Sequence, residues 1–140
     1  MPFKFEGLEV WQLALDYIDV IYEIASQLPR SEEYNLKTQI TRAATSVALN
    51  IAEGSTGQTD AEQARFVGLA IRSLLETVAC QHTNRRKLLP NVAVLRRAYR
   101  QAETLAAKLH SMRKKLVPEE TWLREEQALY TADGEIPADE

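Results

Sequence analysis

Apolar residues near the start of the chain recur at alternating steps of three and four. Leu8, Trp11, Leu15, Ile18, Tyr22 and Ala25 form one stripe, and Ala14, Tyr17, Ile21, Ile24 and Leu28 form a second beside it. Glu9, Gln12, Asp16, Asp19, Glu23 and Ser26 keep the same spacing and are polar throughout. A helical turn of about 3.6 residues gathers each set onto one face, so the pattern predicts an amphipathic helix from about Leu8 to Leu28 with a wide apolar side. One stripe suffices for a bundle core. The second predicts extra burial, against neighbouring helices or another subunit. Pro29 ends the segment, because it has no backbone proton to donate and its ring clashes with the preceding turn.

Three more helices follow from the same reading. Ser31 is placed as the cap of a second helix running to Glu53, with Glu32 and Glu33 favourable at the positive end of the helix dipole. Leu36, Ile40, Ala43, Val47 and Ile51 form its core stripe. The small residues from Ala43 to Ala48 permit close approach of a neighbour, and Gly54 is expected to close the helix in a left-handed conformation. Thr59-Asp60-Ala61-Glu62 has the spacing of a capping box, which starts a third helix near Asp60. Its apolar faces are Val67, Ala70, Leu74 and Val78 with Ile71, Leu75 and Leu88, and it ends before Pro90. A fourth helix runs from about Val92. Leu95, Ala98, Ala102, Leu105, Leu109, Met112 and Leu116 make an unbroken seam that Val117-Pro118 stops.

A chain of 140 residues fits one domain with a single core. Four helices joined by short connections favour antiparallel neighbours, so the expected fold is all-α: an up-down-up-down antiparallel four-helix bundle over residues 1–117. Residues 118–140 form an acidic C-terminal tail, with room for a short helix around Trp122, Leu123, Leu129 and Tyr130 and disorder expected from Thr131 onward. A single cysteine, Cys80, excludes an intramolecular disulfide and suits a reducing compartment. There is no secretory pattern at the N-terminus and no apolar run near the ~20 residues of a membrane span, so the expectation is a cytoplasmic protein with no membrane association.

Charge changes the picture more than composition does. The net charge is −3, yet residues 85–115 hold ten basic side chains and one acidic, while residues 116–140 hold one basic and eight acidic. The basic block comprises Arg85, Arg86, Lys87, Arg96, Arg97, Arg100, Lys108, Arg113, Lys114 and Lys115. Arg85, Arg86 and Lys87 with Arg96, Arg97 and Arg100 flank the connection between the third and fourth helices and are expected to cluster in space. Arg113 to Lys115 form a separate patch at the opposite pole. Such clusters suit phosphate neutralisation. Cations near a helix C-terminus also complement its dipole, and the acidic tail is able to fold back on them, so a purely structural reading stands beside the nucleic-acid one. Base-stacking aromatics near the cluster reduce to Tyr99, which favours phosphate contacts of weak sequence specificity.

Other chemistry is sparse. Arg42, Ser46, Asn50 and Glu53 lie on one side of the second helix, within reach of Ser73 and Glu76 on the third. They read either as a polar ligand site or, preferably, as a hydrogen-bonded network that fixes helix register. His82 and His110 fall on different helices, and no Glu-x-x-His pair occurs, so no metal and no cofactor are expected. Ser46 and Ser73 lack a base partner, Cys80 reads as a small core residue, and Gly54-Ser55-Thr56-Gly57 lacks the ending of a phosphate loop. No catalytic residue is assigned, and an enzyme is not expected.

The segment from Gln39 to Gly54, QITRAATSVALNIAEG, is distinctive. It resembles the bacterial four-helix-bundle family of ribosomal RNA intervening-sequence proteins, to which the accessory variability determinant of diversity-generating retroelements is similar. Phe5 to Trp11, Leu28 to Leu36 and Phe66 to Glu76 resemble the family's opening, first connection and third helix, in one frame over about residues 3–115. The acidic tail falls outside the pattern. The resemblance implies a toroidal homo-oligomer, a pentamer, and no enzymatic activity. For the retroelement relative it implies binding of a reverse transcriptase and of RNA or DNA through a basic surface. The expected function is therefore an oligomeric adaptor that binds nucleic acid through the third and fourth helices. The alternative is a structural or protein-binding scaffold without nucleic-acid affinity.

Overall fold

The computed structural model describes residues 3–57, 59–88 and 91–132. Five helices follow in order: α1 (Glu9–Ser26), α2 (Leu36–Ser55), α3 (Asp60–Leu88), α4 (Val92–Leu116) and α5 (Glu119–Ala132). Short 3-10 turns occupy Lys4–Gly7 and Arg30–Glu32. The first four helices form an all-α antiparallel bundle in which each touches its sequence neighbour and α1 closes the ring against α4. Two ion pairs show the α1–α4 direction: Glu9 meets Lys108 at 3.3 Å, while Glu23, further along α1, meets Arg97, earlier on α4. Among the described residues no helix is long and apolar enough to cross a membrane.

The core is built from the stripes of the sequence. On α4, Leu95, Ala98, Ala102, Leu105 and Leu109 are all buried, with Met112 and Leu116 packed at the margin. Full burial of each large aliphatic side chain contributes about 1.5–3 kcal/mol. The two stripes of α1 separate. Ala14, Tyr17, Ile21 and Ile24 are completely enclosed, whereas Leu15 and Tyr22 of the other stripe stay 37% and 53% exposed. Phe5 meets Trp11 edge-on with ring centroids 4.6 Å apart, which seats the N-terminal turn on α1.

Two helix boundaries differ from the expected ones. Ser31 does not cap α2; it lies inside the 3-10 turn, and α2 begins only at Leu36 after Asn35. Local bonds hold the chain out of helix there. The Asn35 amide donates to Glu32 Oε1 at 3.0 Å, and the Thr38 hydroxyl donates to the Glu33 carbonyl at 2.6 Å. Gly54 is not a left-handed closing residue. It remains helical within α2, and a Cβ there would stand 2.8 Å from Phe66 Cβ of α3, so glycine serves close helix approach. At the start of α3 the expected cap forms, with the Glu62 amide donating to Thr59 Oγ1 at 3.0 Å.

The tail begins as α5, which extends through Thr131 and Ala132 where disorder was expected. Residues 133–140 lie outside the described residues, as do the side chains of Lys87, Leu88, Trp122, Leu129 and Tyr130.

Candidate nucleic-acid interface

The C-terminal part of α3 and the first turns of α4 converge on one end of the bundle. The start of α4 is well defined, because Asn91 Oδ1 accepts from the Ala93 amide at 2.8 Å. Asn91's own backbone N–H donates to Gln27 Oε1 at 2.9 Å, tying this end to α1. Between the two helices lies a pocket of about 320 Å³ lined by Gln81, His82 and Arg85 from α3 and by Val92, Leu95, Arg96 and Tyr99 from α4. Its size falls at the lower end of the small-ligand range, about 300–1,000 Å³. Arg85 and Arg96 are exposed, and among the described residues neither has an ion-pair partner.

The pocket wall is braced from the core. Gln81 Nε2 donates to the Tyr17 hydroxyl at 2.7 Å, and Tyr17 Oη lies 2.6 Å from Thr77 Oγ1. The Thr77 hydroxyl donates its proton to the Leu74 carbonyl, so Tyr17 is the donor to Thr77. Burial pushes the Tyr17 phenol up to about 12, against the opposing pull of its hydrogen bonds to Thr77 and Gln81. Beside this network, the Cys80 thiol is also raised, first by burial and then by Glu76.

The other candidate cations go elsewhere. Arg86 is exposed on α3 outside the pocket lining. Arg97 reaches across to Glu23 on α1, and Arg100 shares a shallow α1–α4 groove with Leu13 and Asp16. The expected cluster of Arg85, Arg86, Lys87, Arg96, Arg97 and Arg100 is thus divided between grooves; the side chain of Lys87 lies outside the described residues, and among the described ones only Arg85 and Arg96 share a pocket. At the opposite pole the predicted patch also divides. Lys114 and Lys115 are exposed, but Arg113 is 3% exposed, lies over Gly68 of α3 and pairs with Glu126 of α5 at 3.1 Å. Its stem follows the core seam of α4, and α5 covers its head.

The polar network expected on α2 is smaller than the sequence suggested. Ser46 Oγ and Ser73 Oγ lie 2.9 Å apart, and Asn50 Nδ2 donates to the Ser46 carbonyl and hydroxyl at 2.9 and 3.1 Å. Arg42, Glu53 and Glu76 are exposed and stand outside it. Arg42 instead lines a shallow groove with Tyr22, Thr45 and Leu49. Among the described residues no three His, Cys, Asp or Glu side chains are grouped as a metal site.

The family description 23S rRNA-intervening sequence protein matches residues 6–111. The chain belongs to that family. It is similar in fold to a protein of unknown function from the S23 ribosomal protein family of Bacteroides thetaiotaomicron, with a TM-score of 0.69 and 21% identity over 75% of this chain and 98% of that one. No curated protein matches the chain. The family segment contains the whole α3–α4 pocket, while Arg113 and its partner Glu126 lie beyond it.

Sequence reasoning missed the Tyr17–Thr77–Gln81 network and the pocket's composition. In the periodic pattern Tyr17 is one more apolar position, although a phenol in a core stripe demands a polar partner. The pairs His82/Arg85 and Arg96/Tyr99 share a three-residue spacing on either side of one hairpin, and that signal points to the pocket.

Proposed function

We propose that this chain is a non-enzymatic, self-associating bundle, assembled as a pentameric ring in the cytoplasm, that holds nucleic acid through phosphate contacts at the α3–α4 end. The observation that carries this reading is the pair Arg85 and Arg96, brought from two helices to one pocket and left without a carboxylate partner among the described residues. Unneutralised guanidinium groups at a concave site favour phosphate. Self-association is supported by Tyr22 and Leu49, 53% and 60% exposed, which flank one groove between α1 and α2.

The test is retardation of single-stranded RNA by the whole chain at rising salt. Affinity should fall linearly on a log–log plot, because bound counterions are released on binding. Arg85→Glu with Arg96→Glu should abolish retardation at a salt concentration where the native chain binds. Retention by the double variant equal to that of the native chain would remove the interface. A monomer in sedimentation at micromolar concentration would remove the ring.

A second reading, a structural or protein-binding scaffold without nucleic-acid affinity, is favoured by one observation. Arg97 and Arg113 are both engaged with glutamates inside the molecule. It predicts the same assembly with no retention of RNA at any salt.

A further inference from the structure

The pocket between α3 and α4 contains more than positive charge. Tyr99 is 46% exposed, Val92 is 57% exposed, and both line the pocket beside the two arginines. His82 approaches Tyr99 with ring centroids 6.4 Å apart and planes at 80°. The two rings therefore do not stack on each other, and Tyr99 keeps ring surface open within the pocket. An accessible aromatic ring that shares a pocket with two guanidinium groups matches the two parts of a nucleotide, a flat base and a phosphate. The apolar walls of Val92 and Leu95 suit the edge of a base or the carbon face of a sugar.

We infer that this pocket receives one unpaired nucleotide of a single strand, its base laid against Tyr99 and its phosphate against Arg85 and Arg96. The inference rests on the nucleic-acid reading above and narrows it. A surface that only neutralises phosphates accepts duplex and single strand alike. A base within a duplex has both faces covered by its neighbours, so it reaches Tyr99 only after leaving the stack. The pocket therefore discriminates for single strands, with little preference among bases because every base has a π face. The bracing of Gln81 by Tyr17 keeps one wall in place before the nucleotide arrives.

The experiment measures anisotropy of three labelled probes against the full chain: a single-stranded oligoadenylate, the same length of abasic strand, and an adenine–uracil duplex. Native protein is expected to bind the oligoadenylate about tenfold or more tightly than the abasic strand, the increment of one base–aromatic stack. Tyr99→Ala should remove that increment and leave both the abasic affinity and the salt slope unchanged. Tyr99→Phe should retain it, which separates loss of the ring from any damage to the fold. Arg85→Gln with Arg96→Gln should weaken all three probes and flatten the salt slope. Native binding with equal affinity for the three probes, unaffected by Tyr99→Ala, would overturn the nucleotide pocket while leaving the phosphate surface standing. Absence of binding to every probe would overturn both. Adenosine monophosphate competing as well as the oligoadenylate, mole for mole of nucleotide, would also overturn the assignment, since the occupant would then be a free nucleotide.

Discussion

The two poles of α4 carry the same residue type to opposite ends. At the first pole Arg96 stands in an open pocket with Arg85, and no carboxylate among the described residues answers it. At the other, Arg113 is enclosed between α3 and α5 and bound to Glu126. Both belong to one basic block in the sequence. What separates them is cover. Among the described residues nothing covers Arg85 and Arg96, whereas the chain after Pro118 returns as an acidic helix over the other end. An arginine that has lost its water must keep a partner, and one that keeps its water remains available to a ligand.

This contrast yields a graded set of expected outcomes. The largest is on stability. Arg113→Ala should lower unfolding free energy by about 3 kcal/mol, since it removes a long side chain buried between α3 and α5 and leaves a cavity there. Arg96→Ala should change it by less than about 0.5 kcal/mol. Denaturant midpoints compare the two directly, and equal effects would show that the poles do not differ. Next comes Tyr17→Phe, expected to cost about 2 kcal/mol because Thr77 and Gln81 lose a shared partner in the core. If Gln81 braces the pocket, this change at the bundle's centre also weakens oligonucleotide binding, which no change at Arg113 should do.

Gly68→Ala is smaller. Its methyl group would stand 2.9 Å from Arg113 Nη1, so the guanidinium must shift, at a cost of about 1–2 kcal/mol. In combination with Arg113→Ala the cost of the glycine change should vanish, a double-mutant cycle readable by thermal melts. The smallest effect is on pH. His110 is held below its ordinary value of 6.5, first by burial and then by Arg113 and Lys114, with Glu126 opposing. Below 6.5 the unfolded chain therefore binds the proton more readily than the folded one. Stability from this residue is complete above 6.5 and declines as pH falls from there through the folded value. His110→Gln should flatten that limb of the stability–pH profile by a small amount.

Much of the bundle is legible in the sequence. The seam from Leu95 to Leu116, the cap at Thr59 and the stop at Pro118 rest on neighbours within one or two turns, so a one-dimensional pattern contains them. The candidate site was readable only in outline. The run of basic residues announced an end of the molecule, but Arg96, Arg97 and Arg100 fall within two helical turns and still part company. Arg96 faces α3, Arg97 reaches Glu23, and Arg100 enters the groove beside Asp16. Ser31 and Gly54 were misplaced for a related reason: the bonds around Asn35 and the approach of Phe66 outweighed the local preference.

The sequence by itself determined that there are four long amphipathic helices, that α3 begins after Thr59 and α4 stops before Pro118, and that positive charge is concentrated ahead of an acidic tail. Periodicity, proline and capping act over a few residues, and they suffice for that. Only the tertiary structure decided which stripe of α1 is enclosed, which arginine is clamped and which is open, and that Tyr17, Thr77 and Gln81 meet. Those outcomes depend on what another helix places opposite each side chain across the bundle, and helix periodicity encodes the face of a residue but not its neighbour.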